Sequence, residues 1–149
     1  MKRIIFVLEG IANTGKSTVI AKVLETLLPY ATGPALADER GRKRVHGPPE
    51  VVKAILTING KTVGLTSRGD SERLVQEGVE PLVDANCDII VCATRTAGGS
   101  KRALEEIAAN ANPSYEIRPI PKFSDFMNRN RANQDCCDEV VANVLAATI

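Results

Sequence analysis

Residues 10–18, GIANTGKST, satisfy the spacing G-x-x-x-x-G-K-[ST] in full, and each fixed position has a chemical reason. Glycines at 10 and 15 keep side chains out of the space an anion needs. Successive backbone N–H groups, those of Asn13, Thr14 and Gly15 among them, can then converge on one phosphate. Lys16 reaches the β- and γ-phosphates as a mobile point charge, Ser17 offers a hydroxyl to one octahedral position on Mg2+, and Thr18 stands where the α-phosphate would lie. The expected ligands are ATP, or another nucleoside triphosphate, and Mg2+. They would be held by Gly10, Asn13, Thr14, Gly15, Lys16, Ser17 and Thr18, with Lys16 also acting on the reacting phosphate.

Such a loop works only between a strand and a helix, because the helix N-terminus adds partial positive charge to the cradle. Both are expected. Residues 4–8 form an unbroken apolar run with β-branched members, the pattern of a strand buried on both faces. Over 16–28, Val19, Ile20, Val23, Leu24, Leu27 and Leu28 recur at helical spacing before Pro29.

Residues 29–50 are rich in proline, glycine and charge and form a long connection. Asn59-Gly60 then sits between two apolar-rich runs, the signature of a type I′ turn. Antiparallel strands are expected over 52–58 and 61–67, with Leu56 opposite Val63 and Ala54 opposite Leu65. Ser71 can cap a helix carrying Leu74, Val75, Val79, Leu82 and Val83, which Gly78 and Pro81 should break or bend. The run 87–94 predicts a buried strand. Ser100 opens a helix with Leu104, Ile107, Ala108 and Ala111 on one face. Residues 115–123, with Pro119 and Pro121, suit an edge strand. A last helical region begins near Ser124, polar at first and apolar at Val140, Val141, Val144 and Leu145.

Strands alternating with helices imply one α/β domain over residues 1–149, in three layers: a mostly parallel sheet of about five strands with one antiparallel hairpin strand, and helices on both faces. The loop in this setting resembles P-loop nucleoside-triphosphatases and kinase-like proteins. INGKTVGLTSRGD followed by CDIIVCATRT is similar to a group of small P-loop nucleotide-binding proteins with a hairpin, a Gly-Asp after it and a strand ending in Thr-Arg. The likeness extends from Met1 to about Arg95 and implies a P-loop fold and a bound nucleotide.

Ligands of open α/β sheets sit beyond the carboxyl ends of the parallel strands, and that rule sorts the remaining candidates. The hairpin strand runs toward that side, so Asp70 beyond it is the candidate second Mg2+ residue, acting through water; its other reading is a turn or helix-cap aspartate. Asp88 opens its strand at the opposite end and is excluded. Arg95, beside Thr94 and Thr96 and before Gly98 and Gly99, could stabilise charge on a transferred phosphoryl group or bind an acidic acceptor; otherwise it is a surface arginine. Glu9 could orient a water or acceptor hydroxyl, or make a structural hydrogen bond. Arg40, Arg42, Lys43, Arg44 and His46 return to the ligand side, where nucleoside monophosphate kinases hold their acceptor, or form a solvated loop. Arg129 and Arg131 read as a polar helical face.

These residues support a small-molecule or nucleotide kinase-like phosphotransferase, with Lys16, Asp70 and Arg95 as its catalytic set and an unidentified small-molecule acceptor. The alternatives are a nucleoside triphosphatase or nucleotide-dependent switch, and a non-catalytic nucleotide-binding partner protein. The base-reading motif Asn-Lys-x-Asp of GTPases does not occur, which favours adenine over guanine. With net charge +1 and aromatics at 3%, the chain has neither a global field nor stacking platforms for nucleic acid. No apolar run reaches membrane-spanning length. Cys87, Cys92, Cys136 and Cys137 show no C-x-x-C spacing, so reduced thiols in a cytoplasmic protein are expected. In that compartment Arg68-Gly69-Asp70 has no adhesion receptor to meet.

Overall fold

The computed structural model of the protein describes residues 3–9, 16–32, 36–37, 53–67, 71–95, 98–121 and 129–149. Its strands are β1 (Arg3–Glu9), β2 (Leu36–Ala37), β3 (Lys53–Ile58), β4 (Lys61–Thr66), β5 (Ile89–Thr94) and β6 (Tyr115–Pro121). Its α-helices are α1 (Lys16–Leu27), α2 (Glu72–Asp84), α3 (Gly99–Asn110) and α4 (Arg129–Ala147). A short 3-10 turn, Leu28–Tyr30, closes α1 at Pro29.

The strands form one sheet in the order β2-β3-β4-β5-β1-β6. β4, β5, β1 and β6 run parallel, with Ile4 level with Ile89 on one side and Glu116 on the other. β3 is antiparallel to β4, with Leu56 opposite Val63 and Ala54 opposite Leu65 as the hairpin pattern requires. Asn59 and Gly60 both adopt positive φ, 51° and 78°, which a type I′ turn needs and few other residue pairs supply. The two-residue β2 adds a sixth, outermost strand that carries no pattern of its own in the sequence.

Alternation along the strands splits the core into two layers. Phe6, Leu8, Leu56, Leu65 and Val91 face α1 and α4, meeting Val19, Val23, Cys137 and Val140. Ile5, Val7, Ile90 and Cys92 face α2 and α3, meeting Val75, Val79, Leu82 and Leu104. Two helices therefore cover each face of the sheet, and β1, buried from Arg3 to Leu8, lies inside both layers. The opposite, amino edge is fastened by Arg3. Its guanidinium stacks on Tyr115 at 4.2 Å from the ring centre and donates to the Pro113 carbonyl, while the Tyr115 hydroxyl donates to the Cys87 carbonyl at 2.6 Å.

One expectation needs correction. Helix α2 is continuous through Gly78 and Pro81. Ser71 caps it, accepting from the Leu74 N–H, and a buried stripe of Val75, Gly78, Val79 and Leu82 anchors it. Pro81 lies exposed in the last turn, where the missing N–H forfeits a single bond, and the Ala85 N–H still closes on its carbonyl. Helix α3 starts at Gly99 with Gly98 as its cap residue, so Ser100 lies inside the first turn.

Close packing of α2 depends on Gly64 in β4. A Cβ there would stand 2.9 Å from both Cys87 Sγ and Leu82 Cδ2, and both neighbours are fully buried. Gly64→Ala should therefore lower unfolding free energy by ~1–3 kcal/mol, measured by urea titration. An unchanged midpoint would show that α2 does not pack on β4 as described.

Candidate functional site at the carboxyl edge of the sheet

The parallel strands β1, β4, β5 and β6 all end at one edge, at Glu9, Thr66, Thr94 and Pro121. Each is followed by a helix that returns toward the other edge. The Asn59 side chain in the hairpin turn donates to Thr148 Oγ1 just past α4, which fixes that helix's far end at the amino edge. All four α-helices consequently begin at the carboxyl edge. Their dipoles make it the anion-favouring side of the molecule.

Lys16 and Ser17 are the first residues of α1, and Thr18, half-buried, follows in the same turn. Gly10, Asn13, Thr14 and Gly15 lie outside the described residues, between the end of β1 and the start of α1. Asp70 also lies outside them. The strand that leads to it, β4, is not the neighbour of β1, because β5 intervenes. Two interstrand spacings, about 10 Å, separate β4 from β1. Arg40, Arg42, Lys43, Arg44, His46 and Thr96 are likewise outside the described residues.

Arg95 stands exposed at the end of β5. Its backbone N–H donates to Ser100 Oγ at 3.1 Å, so the serine ties the strand end to the first turn of α3 instead of capping the helix. Glu9 is level with Thr94 in the β1/β5 register and makes an ion pair with Lys101 of α3, Oε1 to Nζ 3.6 Å. Thr94 is completely buried, and its hydroxyl has no hydrogen-bond partner among the described residues. Asp88 accepts the Thr62 N–H at 3.0 Å, joining the starts of β4 and β5 at the amino edge, far from the candidate site. Arg131, exposed on α4, lies 4.0 Å from Asp135 one turn on and belongs to the solvent face. Among the described residues no group of three or more His, Cys, Asp or Glu is arranged to hold a metal ion, and no helix is long and apolar enough to cross a membrane.

Lys101 was missed in the sequence, although it carried a signal. A cation in the first turn of a helix opposes the macrodipole, and α3 has Lys101 and Arg102 there with no acidic residue to balance them.

Compared with protein-family models, with curated proteins and with solved structures, the chain matches none.

The cysteines stand apart from this edge. All four are buried, and none forms a disulfide. Burial pushes the Cys92 thiol up to about 12, and burial, with Asp88 adding and Arg3 opposing, pushes Cys87 up to about 11, from an ordinary 9.0. Burial also raises Cys137, against the opposing contact from Thr26. Native thiols held neutral are poor nucleophiles. At pH 8 a thiol reagent such as Ellman's should react with the native protein only as fast as it unfolds, and with four thiols at once in denaturant. Because the folded values lie above the unfolded one, these thiols contribute their full stability below pH 9 and lose it as pH climbs toward 11 and 12. Rapid native labelling of Cys87 or Cys92 at pH 8 would contradict this burial.

Proposed function

We propose that the protein binds a nucleoside triphosphate with Mg2+ at the carboxyl edge of its sheet and transfers the terminal phosphoryl group to a small acceptor. The supporting observation is the position of G-x-x-x-x-G-K-S. It joins the end of β1, a buried strand with a parallel neighbour on each side, to the first turn of α1, where the helix dipole and the N–H groups that a loop of this spacing can converge would favour phosphate. On this reading the fold is P-loop-like. Asn13, Thr14, Gly15 and Lys16 cradle the β-phosphate, Lys16 reaches the γ-phosphate, and Thr18 contacts the α-phosphate.

Ser17 and Asp70 would hold Mg2+, which neutralises charge between the β- and γ-phosphates. A β4 that lies one strand away from β1 suits a carboxylate acting through water rather than directly. The unpaired Thr94 hydroxyl between these strands and the exposed Arg95 beside it supply a donor and a cation on the same edge. Absence of guanine-reading motifs keeps adenine as the preferred base.

Calorimetric titration of ATP with Mg2+ into wild type, Lys16→Ala and Asp70→Asn tests the reading. Wild type should bind; Lys16→Ala should lose about tenfold or more in affinity, the weight of a charge-assisted phosphate contact. Asp70→Asn should bind ATP without metal as wild type does but gain little when Mg2+ is added. No binding by wild type, or equal binding by Lys16→Ala, would overturn it. Product analysis then separates the chemistry: a phosphotransferase forms ADP only when its acceptor is present, whereas a triphosphatase releases inorganic phosphate alone.

A further inference from the structure

The first turn of α3 is built differently from that of α2, although the two helices begin side by side. α2 is closed in the ordinary way: Ser71 accepts the Leu74 N–H and Glu72 supplies a carboxylate to the dipole. α3 has neither device. Its cap residue is Gly98, held at φ 96°, with no side-chain hydrogen bond, and its first turn contains no acidic residue. Ser100, inside the turn, has its Oγ turned back to accept the Arg95 N–H. Among the described residues no side chain accepts from the N–H groups that open α3, and Lys101 and Arg102 stand on the same turn, against the helix dipole.

A second observation points to the same place. The fully buried Thr94 hydroxyl has no partner among the described residues. Ile90 and Cys92 face α2 and α3, so Thr94, two residues further on, faces them as well. The Ser100–Arg95 bond holds the adjoining residue against the first turn of α3. Glu9, level with Thr94, pairs with Lys101 at 3.6 Å and is the one described carboxylate bonded to this turn. Local rules for helix starts are broken here and kept in α2, which is the mark of a site rather than of poor design.

We propose that the uncapped first turn of α3, with Lys101 and the Thr94 hydroxyl, is the seat for an anionic group, phosphate or carboxylate, on the phosphoryl acceptor. The assignment of that group to an acceptor rests on the nucleotide reading above. The N–H groups of α3 and the Lys101 ammonium bind the anion. Glu9, released in part from Lys101 as the anion takes its share of the cation, is left beside the end of β1 to accept a hydrogen bond from the acceptor's hydroxyl. The acceptor class is therefore a small hydroxyl compound bearing a negative charge. Glu72 borders the seat, its Oε2 3.7 Å from where a side chain on Gly99 would start, and its charge opposes an incoming anion.

The probe is inorganic phosphate, titrated by calorimetry into protein saturated with Mg·ADP so that the nucleotide loop is filled. Wild type should bind it, and Lys101→Met should bind about tenfold more weakly. Glu72→Gln should bind several-fold more tightly, a gain that damage to the fold cannot mimic. Thr94→Val should weaken binding while its melting temperature stays level or rises, because an unpaired buried hydroxyl contributes nothing to the fold. If Mg·ADP binds but phosphate does not, or if Lys101→Met equals wild type, the seat does not exist. If wild type fails to bind Mg·ADP, the nucleotide reading fails and the acceptor role falls with it.

Discussion

β1 is hydrogen-bonded in parallel to a strand on each side and packed on both faces, and most of the architecture follows from that enclosure. A parallel neighbour cannot be reached by a tight turn, so the chain must cross back over a face of the sheet, and the returning segment is a helix. Such returns stand on both faces beside β1, α1 and α4 on one and α2 and α3 on the other. Because each return starts where a parallel strand ends, the helix N-termini gather at one edge. Burial of an apolar strand thus produces, with no charged residue required, an edge biased toward anions. The G-x-x-x-x-G-K-S segment connects the end of β1 at that edge to the start of α1.

The two helix pairs differ in what they offer there. α1 begins with Lys16, Ser17 and Thr18 straight out of the glycine-rich loop, whereas α2 is closed by its own serine and glutamate. α3 combines a glycine cap with two basic residues and draws Glu9 across from β1. The Glu9–Lys101 pair and the glycine-rich segment therefore begin at consecutive residues, Glu9 and Gly10, but the Glu9 side chain lies on the α2/α3 face while α1 covers the other. Under the proposed phosphoryl transfer, a donor held on one face and an acceptor on the other would meet at this edge.

Much of this was legible in the sequence because it was local. The turn at Asn59-Gly60 set the hairpin register, since few other dipeptides tolerate two positive φ values. The unbroken runs around Phe6 and Val91 marked strands buried on both faces, and Pro119 and Pro121 marked the outer strand. What escaped was non-local. No pattern along the chain says that β5 inserts between β4 and β1, which moved the strand leading to Asp70 one place away from the loop. Pro81, with Gly78, was expected to break or bend α2 because its local cost was visible and the stripe of Val75, Val79 and Leu82 packing on the sheet was not. Ser100 was expected to open α3, and it does stand in the first turn; its hydroxyl accepts from the Arg95 N–H, a contact set by how β5 meets α3. The Glu9–Lys101 pair joins residues far apart in sequence, so its only trace was a lysine in an unfavourable place.

The central claim is that the carboxyl edge, with its glycine-rich loop, is where this protein meets phosphate. Amide hydrogen exchange with and without Mg·ATP measures it across the whole chain at once. Protection should appear at residues 9–20 and 94–102, while the hairpin turn at Asn59-Gly60 and the far ends of α2 and α3 exchange as before. Exchange that is unchanged at 9–20, or protection confined to the amino edge, would contradict the account.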